Sequence, residues 1–114
     1  MANLWAVLQA GLDHYVLPDG QAVVVNPVVP AVYPYLASNG EFVEADATAG
    51  VVTVNLPTPG VPGDVVRVKK MDATANAVTV SGNGLNIDAA ATYPLTAQWD
   101  VLTVVRGTTQ WLVT

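Results

Sequence analysis

The sequence predicts an all-β protein: an antiparallel β-sandwich of jelly-roll type with an extended N-terminal arm. Valine and other β-branched residues dominate the apolar set, which favours strands. Short apolar runs recur at intervals of about 8–12 residues, and Gly, Pro, Asn and Asp separate them, as is typical of sandwiches and jelly rolls. We place the arm at residues 1–42 and the β-sandwich domain at residues 43–114.

The composition of the chain indicates that a partner covers part of its surface. Hydrophobic residues make up 52% of the 114 residues and charged residues only 11%, whereas about a quarter of the residues are charged in a typical soluble domain. Surplus apolar surface on a small domain usually serves assembly. The net charge is −5, and every Lys and Arg lies between Arg67 and Arg106. The chain has only four Lys and Arg residues, so it lacks the clustered cations that nucleic-acid binding requires.

The N-terminal region shows neither a signal peptide nor a membrane span. It lacks a basic stretch followed by an unbroken apolar run. The longest apolar run, residues 22–37, is interrupted by prolines and is shorter than the ~20 residues of a spanning helix. We expect no contact with a membrane.

The arm begins with the only stretch that has helical character. Leu4, Leu8 and Leu12 share a helical face, but Gly11 and the short length favour one turn of helix or an extended segment. Trp5, so near the start of the sequence, is expected to pack on a neighbouring surface. Short strands are predicted at residues 14–17 and 21–25.

Residues 26–35 form the extended part of the arm. Pro27, Pro30 and Pro34 remove ladder donors, so this segment should not form a central strand and should run near polyproline II over a surface. Its apolar side chains are then available for contact with a partner, and they are Val28, Val29, Val32, Tyr33 and Tyr35.

The domain is predicted to contain short strands joined by polar turns. Residues 63–80 have the pattern of a strand, a polar turn and a second strand, with Arg67, Lys69 and Lys70 on an exposed face. Residues 101–113 form the clearest hairpin, with its turn around Gly107. Further strands are predicted at 42–43, 51–56, 85–88 and 93–95.

No catalytic, cofactor or metal site is predicted. Asp72, Thr74 and Asn76 have the spacing of a calcium loop, but the glycine at its sixth position and the glutamate at its twelfth are missing. His14 is the only histidine, and the two serines lie beside turn residues without a nucleophile motif. Three aromatic side chains are expected to lie in a core or a subunit interface and not in a sugar-stacking site. They are Tyr93, Trp99 and Trp111.

Several motifs in the second half of the chain occur together in one group of proteins. They lie at residues 54–57, 63–72, 73–80 and 84–88 and in the hairpin 101–113. This set resembles a small β-domain of tailed-bacteriophage virion proteins, found in tail fibres, tailspike-like proteins and head decoration proteins. The chain departs from that pattern at Ala89, where the family often has Gly, and at Arg106, where it often has Asp.

The resemblance implies a structural protein of the virion, commonly a homotrimer. The short chain, without shaft repeats, favours a head decoration (cement) protein that binds the major capsid protein on the head surface after synthesis in the host cytoplasm. Arg67 and Lys69 would then contact an acidic capsid surface. The alternative is a tail-fibre or tailspike-type module that binds a receptor or a glycan.

Overall fold

The computed structural model describes residues 14–16 and 22–114, and the side chains of residues 24–114. These residues contain ten strands and no helix. The strands are β1 (His14–Val16), β2 (Ala22–Val28), β3 (Tyr35–Leu36), β4 (Glu41–Ala45), β5 (Val52–Asn55), β6 (Val65–Lys70), β7 (Val78–Ser81), β8 (Thr92–Leu95), β9 (Val101–Arg106) and β10 (Trp111–Val113).

The strands form two mixed sheets, so the all-β prediction is confirmed. The six-stranded sheet has the order β1-β2-β4-β6-β9-β10, and the four-stranded sheet has the order β3-β5-β7-β8. From β2 to β7, successive strands alternate between the two sheets. Each strand returns to its sheet in the same direction, so β2, β4 and β6 are parallel, as are β3, β5 and β7. The remaining pairings are antiparallel.

The expectation of purely antiparallel sheets is wrong for four of the eight strand pairings. The segment 63–80 shows the reason. Its two strands, β6 and β7, lie in different sheets, because the polar connection between them crosses from one sheet to the other and does not fold back. Parallel neighbours need a crossover, and here a strand of the opposite sheet provides it.

One hydrophobic core holds the two sheets together. Period-two alternation turns every second side chain inward, as the buried positions of β4 to β7 show. Full burial of a Val- or Leu-sized side chain contributes roughly 1.5–3 kcal/mol. The members are Val28, Ala37, Val43, Ala45, Ala47, Val52, Val54, Leu56, Val66, Val68, Val78, Val80, Ile87, Leu95, Leu102, Val104 and Trp111.

Most strand predictions are confirmed, with two exceptions. The hairpin of β9 and β10 pairs Trp111 with Arg106 and Val113 with Val104. Residues 85–88 do not form a strand, since only isolated bridges from Ile87 to Ala90 and Trp111 occur there. The helical turn predicted near the N-terminus lies outside the described residues.

The second exception is β2, which continues through Pro27 and lies between β1 and β4. The prediction that residues 26–35 avoid a central strand is therefore wrong for residues 26–28. The carbonyl of Val28 points to the β4 side, where it accepts a hydrogen bond from the amide of Asp46. The imide nitrogen of Pro27 therefore points to the β1 side, beyond the last β1 pair at Val24, so no ladder bond is lost.

The segment assigned to the arm thus contributes strands to both sheets. β2 pairs with β4 over five residues, and β3 pairs with β5. The predicted boundary between residues 42 and 43 falls inside β4. Within the described ranges, no helix has the length and hydropathy needed to cross a membrane.

Candidate docking surface

The β2–β3 connection, residues 29–34, is the most exposed apolar segment that the structure describes. Val32 is 92% exposed, Tyr33 81% and Val29 62%. Pro30 lies between Val29 and Val32, Pro34 follows Tyr33, and both prolines restrict the backbone. We call residues 29–35 the docking segment. Exposed apolar side chains on a restricted backbone lose little conformational entropy when a partner covers them.

The docking segment borders a groove of about 140 Å³. Its other wall is the start of β5, where Val51 is exposed and Val52 turns into the core. The lining contains no Asp, Glu, Lys, Arg or His side chain. The lining residues are Val29, Ala31, Val32, Tyr33, Pro34, Tyr35, Val51, Val52 and Thr53.

A polar cluster anchors the docking segment at both of its ends. The Glu41 carboxylate is buried, and its Oε2 accepts hydrogen bonds from the Tyr35 hydroxyl and from Asn26 Nδ2, the latter at 2.7 Å. Glu41 Oε1 accepts the Ser38 amide at 2.8 Å. Asn26 lies in β2, Tyr35 in β3 and Glu41 in β4. One buried carboxylate on β4 thus joins β2, which precedes the docking segment, to Tyr35 at the end of that segment.

The same cluster changes the acidity of Tyr35. Burial raises the pKa of Tyr35 to about 12, and the hydrogen bond and negative charge of Glu41 act in the same direction. The hydrogen bond from Asn26 opposes this effect. Tyr35 therefore stays protonated, and its hydroxyl remains a donor to Glu41, throughout the neutral range.

A second polar cluster holds the β6–β7 crossing against the β4–β5 crossing. Lys70 is fully buried, and its Nζ donates to Asp72 Oδ2 at 2.7 Å and to the Asn76 carbonyl at 2.9 Å. Asp72 also accepts the Ala47 amide at 2.7 Å and the Thr74 amide at 3.0 Å. The predicted placement of Lys70 on an exposed face is wrong, because Lys70 is in phase with the inward-facing Val66 and Val68.

The ammonium group of Lys70 donates to two of the three residues that have the calcium-like spacing, Asp72 and Asn76. Burial alone would raise the pKa of Asp72, but hydrogen bonds from Lys70, Thr74 and the Ala47 amide outweigh burial and hold it well below its usual range. The described residues contain no group of three or more His, Cys, Asp or Glu side chains able to hold a metal.

The predicted contact residues lie in different parts of the molecule. Val29, Val32, Tyr33 and Tyr35 line the groove. Val28 belongs to the core, with its side chain turned away from solvent. Two further residues, Arg67 and Lys69, lie in β6 and do not line the groove. Trp5 lies outside the described residues.

The three aromatic side chains considered for sugar stacking have separated roles. Trp111 is fully buried in the core. Trp99 is 55% exposed, at a turn where its φ is 73°, and Lys69 Nζ lies 5.8 Å from the centre of its ring. Tyr93 lies in β8 and is partly exposed. Trp111 is therefore unavailable to a sugar, whereas Trp99 is accessible.

Sequence reasoning missed Asn26, Glu41 and Lys70, which position the docking segment and the neighbouring crossing. The signal that could have found two of them was the phase of the alternation. Glu41 is in phase with Val43 and Ala45, just as Lys70 is in phase with the inward residues of β6.

The chain matches no protein-family model and no curated protein.

Proposed function

We propose that this protein is a structural component of a tailed-phage virion, a decoration protein that binds the outer head shell as a homotrimer and stabilises it. The two sheets, in a sandwich-like arrangement, would be its rigid scaffold. The resemblance of residues 51–114 to virion β-domains supports the class of particle. The structural observation that carries the proposal is the docking segment, an uncharged apolar surface attached to a rigid pair of sheets.

In this proposal the docking segment makes the contact with the major capsid protein. Covering a Val-sized side chain contributes roughly 1.5–3 kcal/mol, so Val29, Val32 and Tyr33 together supply a substantial part of a specific interface. A trimer presents three such segments to the shell, and multivalency multiplies the affinity of each. The stabilisation would come from buried area, without a reaction at any site.

Point substitutions test this role better than removal of residues 1–42. Such a deletion would remove β2 and β3 and so disturb both sheets. Val32→Asp and Tyr33→Ser alter side chains that are almost fully exposed, so neither should affect folding. The matched control is Val61→Asp, because Val61 is 63% exposed in the β5–β6 connection and does not line the groove.

The assay is co-sedimentation of the purified protein with virion heads prepared without it. We expect Val32→Asp to weaken binding at each contact by roughly 10- to 100-fold, from the lost burial of one side chain. Val61→Asp should bind like the wild type. Equal head binding by the wild type, Val32→Asp and Val61→Asp would show that the docking segment does not make the contact. Failure of the wild type to bind heads would refute the proposed function.

Trp99 favours the second candidate, a receptor- or glycan-binding module of a tail fibre or tailspike. Its ring is exposed, and Lys69 lies over it, which leaves a surface on which a sugar ring can stack. In this case the wild type should bind a glycan array saturably, and Trp99→Ala should abolish that binding. Tail labelling in micrographs of virions treated with a specific antibody would also favour this candidate.

A further inference from the structure

We propose that the copies of the trimer contact one another through the outer face of the six-stranded sheet. The half of this face around β4 in one copy packs against the half around β6 in the next copy. This inference rests on the trimer of the proposed function and specifies which surface forms it. The docking segment lies elsewhere and stays available for the shell.

The strand register places an unusual set of side chains on this outer face. One row across the sheet contains Pro27, Glu44, Lys69 and Val101, the next contains Val25, Phe42, Arg67 and Thr103, and the third contains Val65, Val105 and Leu112. Six of these eleven are Val, Phe or Leu, and each is at least partly exposed. When one face of a sheet is exposed to solvent, the residues on that face are normally polar.

The outer face of the four-stranded sheet provides the contrast within the same molecule. Its rows contain Thr53, Thr79 and Pro94, and then Leu36, Asn55, Ser81 and Thr92. Short polar side chains predominate there, as expected for a solvated face. The apolar composition is therefore specific to the six-stranded sheet.

The charges on the outer face are divided between its two halves. Glu44 lies on β4, whereas Arg67 and Lys69 lie on β6. Glu44 is the register partner of Lys69, yet the only ion pair among the described residues is Lys70 with Asp72. The ammonium of Lys69 lies instead over the ring of Trp99. The two halves thus have opposite charges, and these charges do not form an ion pair with each other within one copy.

This division suits a second copy of the chain as the occupant. When the β4 half of one copy packs against the β6 half of the next, Glu44 meets Arg67 and Lys69. Each copy then makes the same contact once with each half, and a head-to-tail contact of this kind forms a trimeric ring when the rotation between successive copies closes after three copies. Opposite charges fix the register of such a contact, while the apolar rows supply its buried area.

The size of the face limits the area that each contact can bury. Strand spacing and residue rise give the five strands from β2 to β10 a face of roughly 24 by 17 Å, or about 400 Å² in projection. Each contact uses half of this face, about 200 Å² in projection on each copy, so a single contact is smaller than the ~800 Å² per partner of a standard interface and association relies on the two contacts that each copy makes. Trp99 and Val101 are both more than half exposed at its edge, where they extend the apolar area.

The test is the oligomeric state of the full chain, measured by sedimentation equilibrium. Val105→Lys places a charge in the apolar row, and Glu44→Arg makes both halves positive. We expect each variant to weaken association at least 10-fold relative to the wild-type trimer. The matched control is Thr79→Lys, because Thr79 is also partly buried, β-branched and outward-facing, but lies in the four-stranded sheet; it should stay trimeric.

Charge exchange separates a specific contact from a general loss of stability. Combining Glu44→Arg with Arg67→Glu and Lys69→Glu reverses both halves, so association should return to within a few-fold of the wild type. A trimer that survives both Val105→Lys and Glu44→Arg would overturn this inference and leave the trimer and the shell contact standing. A monomeric wild type would overturn the trimer and this inference, while head binding would be decided separately by co-sedimentation.

Discussion

Replacing Tyr35 with Phe removes one hydroxyl from the cluster that anchors the docking segment. The Tyr35 hydroxyl donates to the buried Glu41 carboxylate. After the change, Glu41 keeps Asn26 Nδ2 and the Ser38 amide as donors, so no buried charge loses all its partners. The same hydroxyl accepts a hydrogen bond from Asn26 Nδ2 at 3.1 Å, so the substitution removes one charge-assisted hydrogen bond and one weaker, neutral one.

The pKa of Tyr35 sets the size of the expected effect. A rise from 10.0 to about 12 corresponds to about 2.7 kcal/mol at about 1.36 kcal/mol per pKa unit. Burial is the largest cause of the rise and is not part of the hydrogen bond, and solvent screens the partly buried Tyr35, so the hydrogen bond accounts for only part of this value. We expect Tyr35→Phe to reduce the free energy of unfolding by about 1–2 kcal/mol at pH 7, which agrees with the usual size of a hydrogen bond to a charged group.

The same shift predicts the pH dependence. The pKa of Tyr35 is higher in the folded state than in the unfolded state, so its contribution is complete below about pH 10. As the pH rises from 10 to about 12, the unfolded chain loses the proton first and the contribution disappears. The stabilities of the wild type and Tyr35→Phe should therefore converge over that interval.

Urea unfolding followed by tryptophan fluorescence measures both effects. The control is Tyr33→Phe, two residues away, because the Tyr33 side chain is 81% exposed; we expect a change below about 0.5 kcal/mol, as for surface positions generally. If Tyr33→Phe and Tyr35→Phe lose the same stability, or if the Tyr35→Phe difference is constant up to pH 12, the cluster does not anchor the segment as described.

Three further substitutions, one of them with a matched control, test the crossings and turns. A Cβ at Gly82 would lie 1.7 Å from the Leu85 carbonyl oxygen, so Gly82→Ala should destabilise the protein by more than about 3 kcal/mol in urea unfolding. Ala89 has a φ of 69°, in the region that costs an L-residue roughly 1–2 kcal/mol; Ala89→Gly should therefore stabilise by about 0.5–1 kcal/mol, while the exposed Ala75→Gly should destabilise. The lowered pKa of Asp72 supplies stability that is present above its ordinary pKa and lost as the pH falls; Lys70→Met should lower stability at pH 7 and flatten the acid part of the thermal-stability profile.

The alternation of side chains predicted most strands but not their partners. Alternation in β5, β6 and β7 shows which side chains face inward, and those positions are buried. It contains no information about which sheet a strand joins. A connection of seven residues, 71–77, can fold back on one sheet or cross to the other. Here the contacts of Asp72 with Lys70 and with the distant Ala47 amide hold it across, and the sequence does not show those contacts.

The docking segment could be predicted from the sequence, but its anchor could not. Pro30, Pro34 and the apolar residues around them are enough to indicate an extended surface segment, whereas the same reasoning was wrong for Pro27, which lies inside β2. Asn26 and Glu41 are 15 residues apart and meet only because β2 and β4 are parallel neighbours. The turn at Ala89 is a different case. The resemblance indicated glycine there, and the positive φ supplies the physical reason.

The placement of the cations leads to a difference between the two proposed contacts. Lys70 is buried with Asp72, and Arg106 Nη1 donates to the carbonyl of Gly107. Arg67 and Lys69 are therefore the two described cations left to meet a partner, and both lie on the outer face of the six-stranded sheet. The docking segment, residues 29–35, contains no charged residue.

Salt should consequently affect the two contacts in different ways. At 1 M salt the screening length falls to about 3 Å, which weakens charge pairs at a partly exposed interface. Apolar burial is not screened. Association between copies should weaken as NaCl rises from about 0.1 to 1 M, whereas attachment to heads through each docking segment should persist. The opposite order of sensitivity, with head attachment lost first, would mean that Arg67 and Lys69 face the shell and that the copies meet elsewhere.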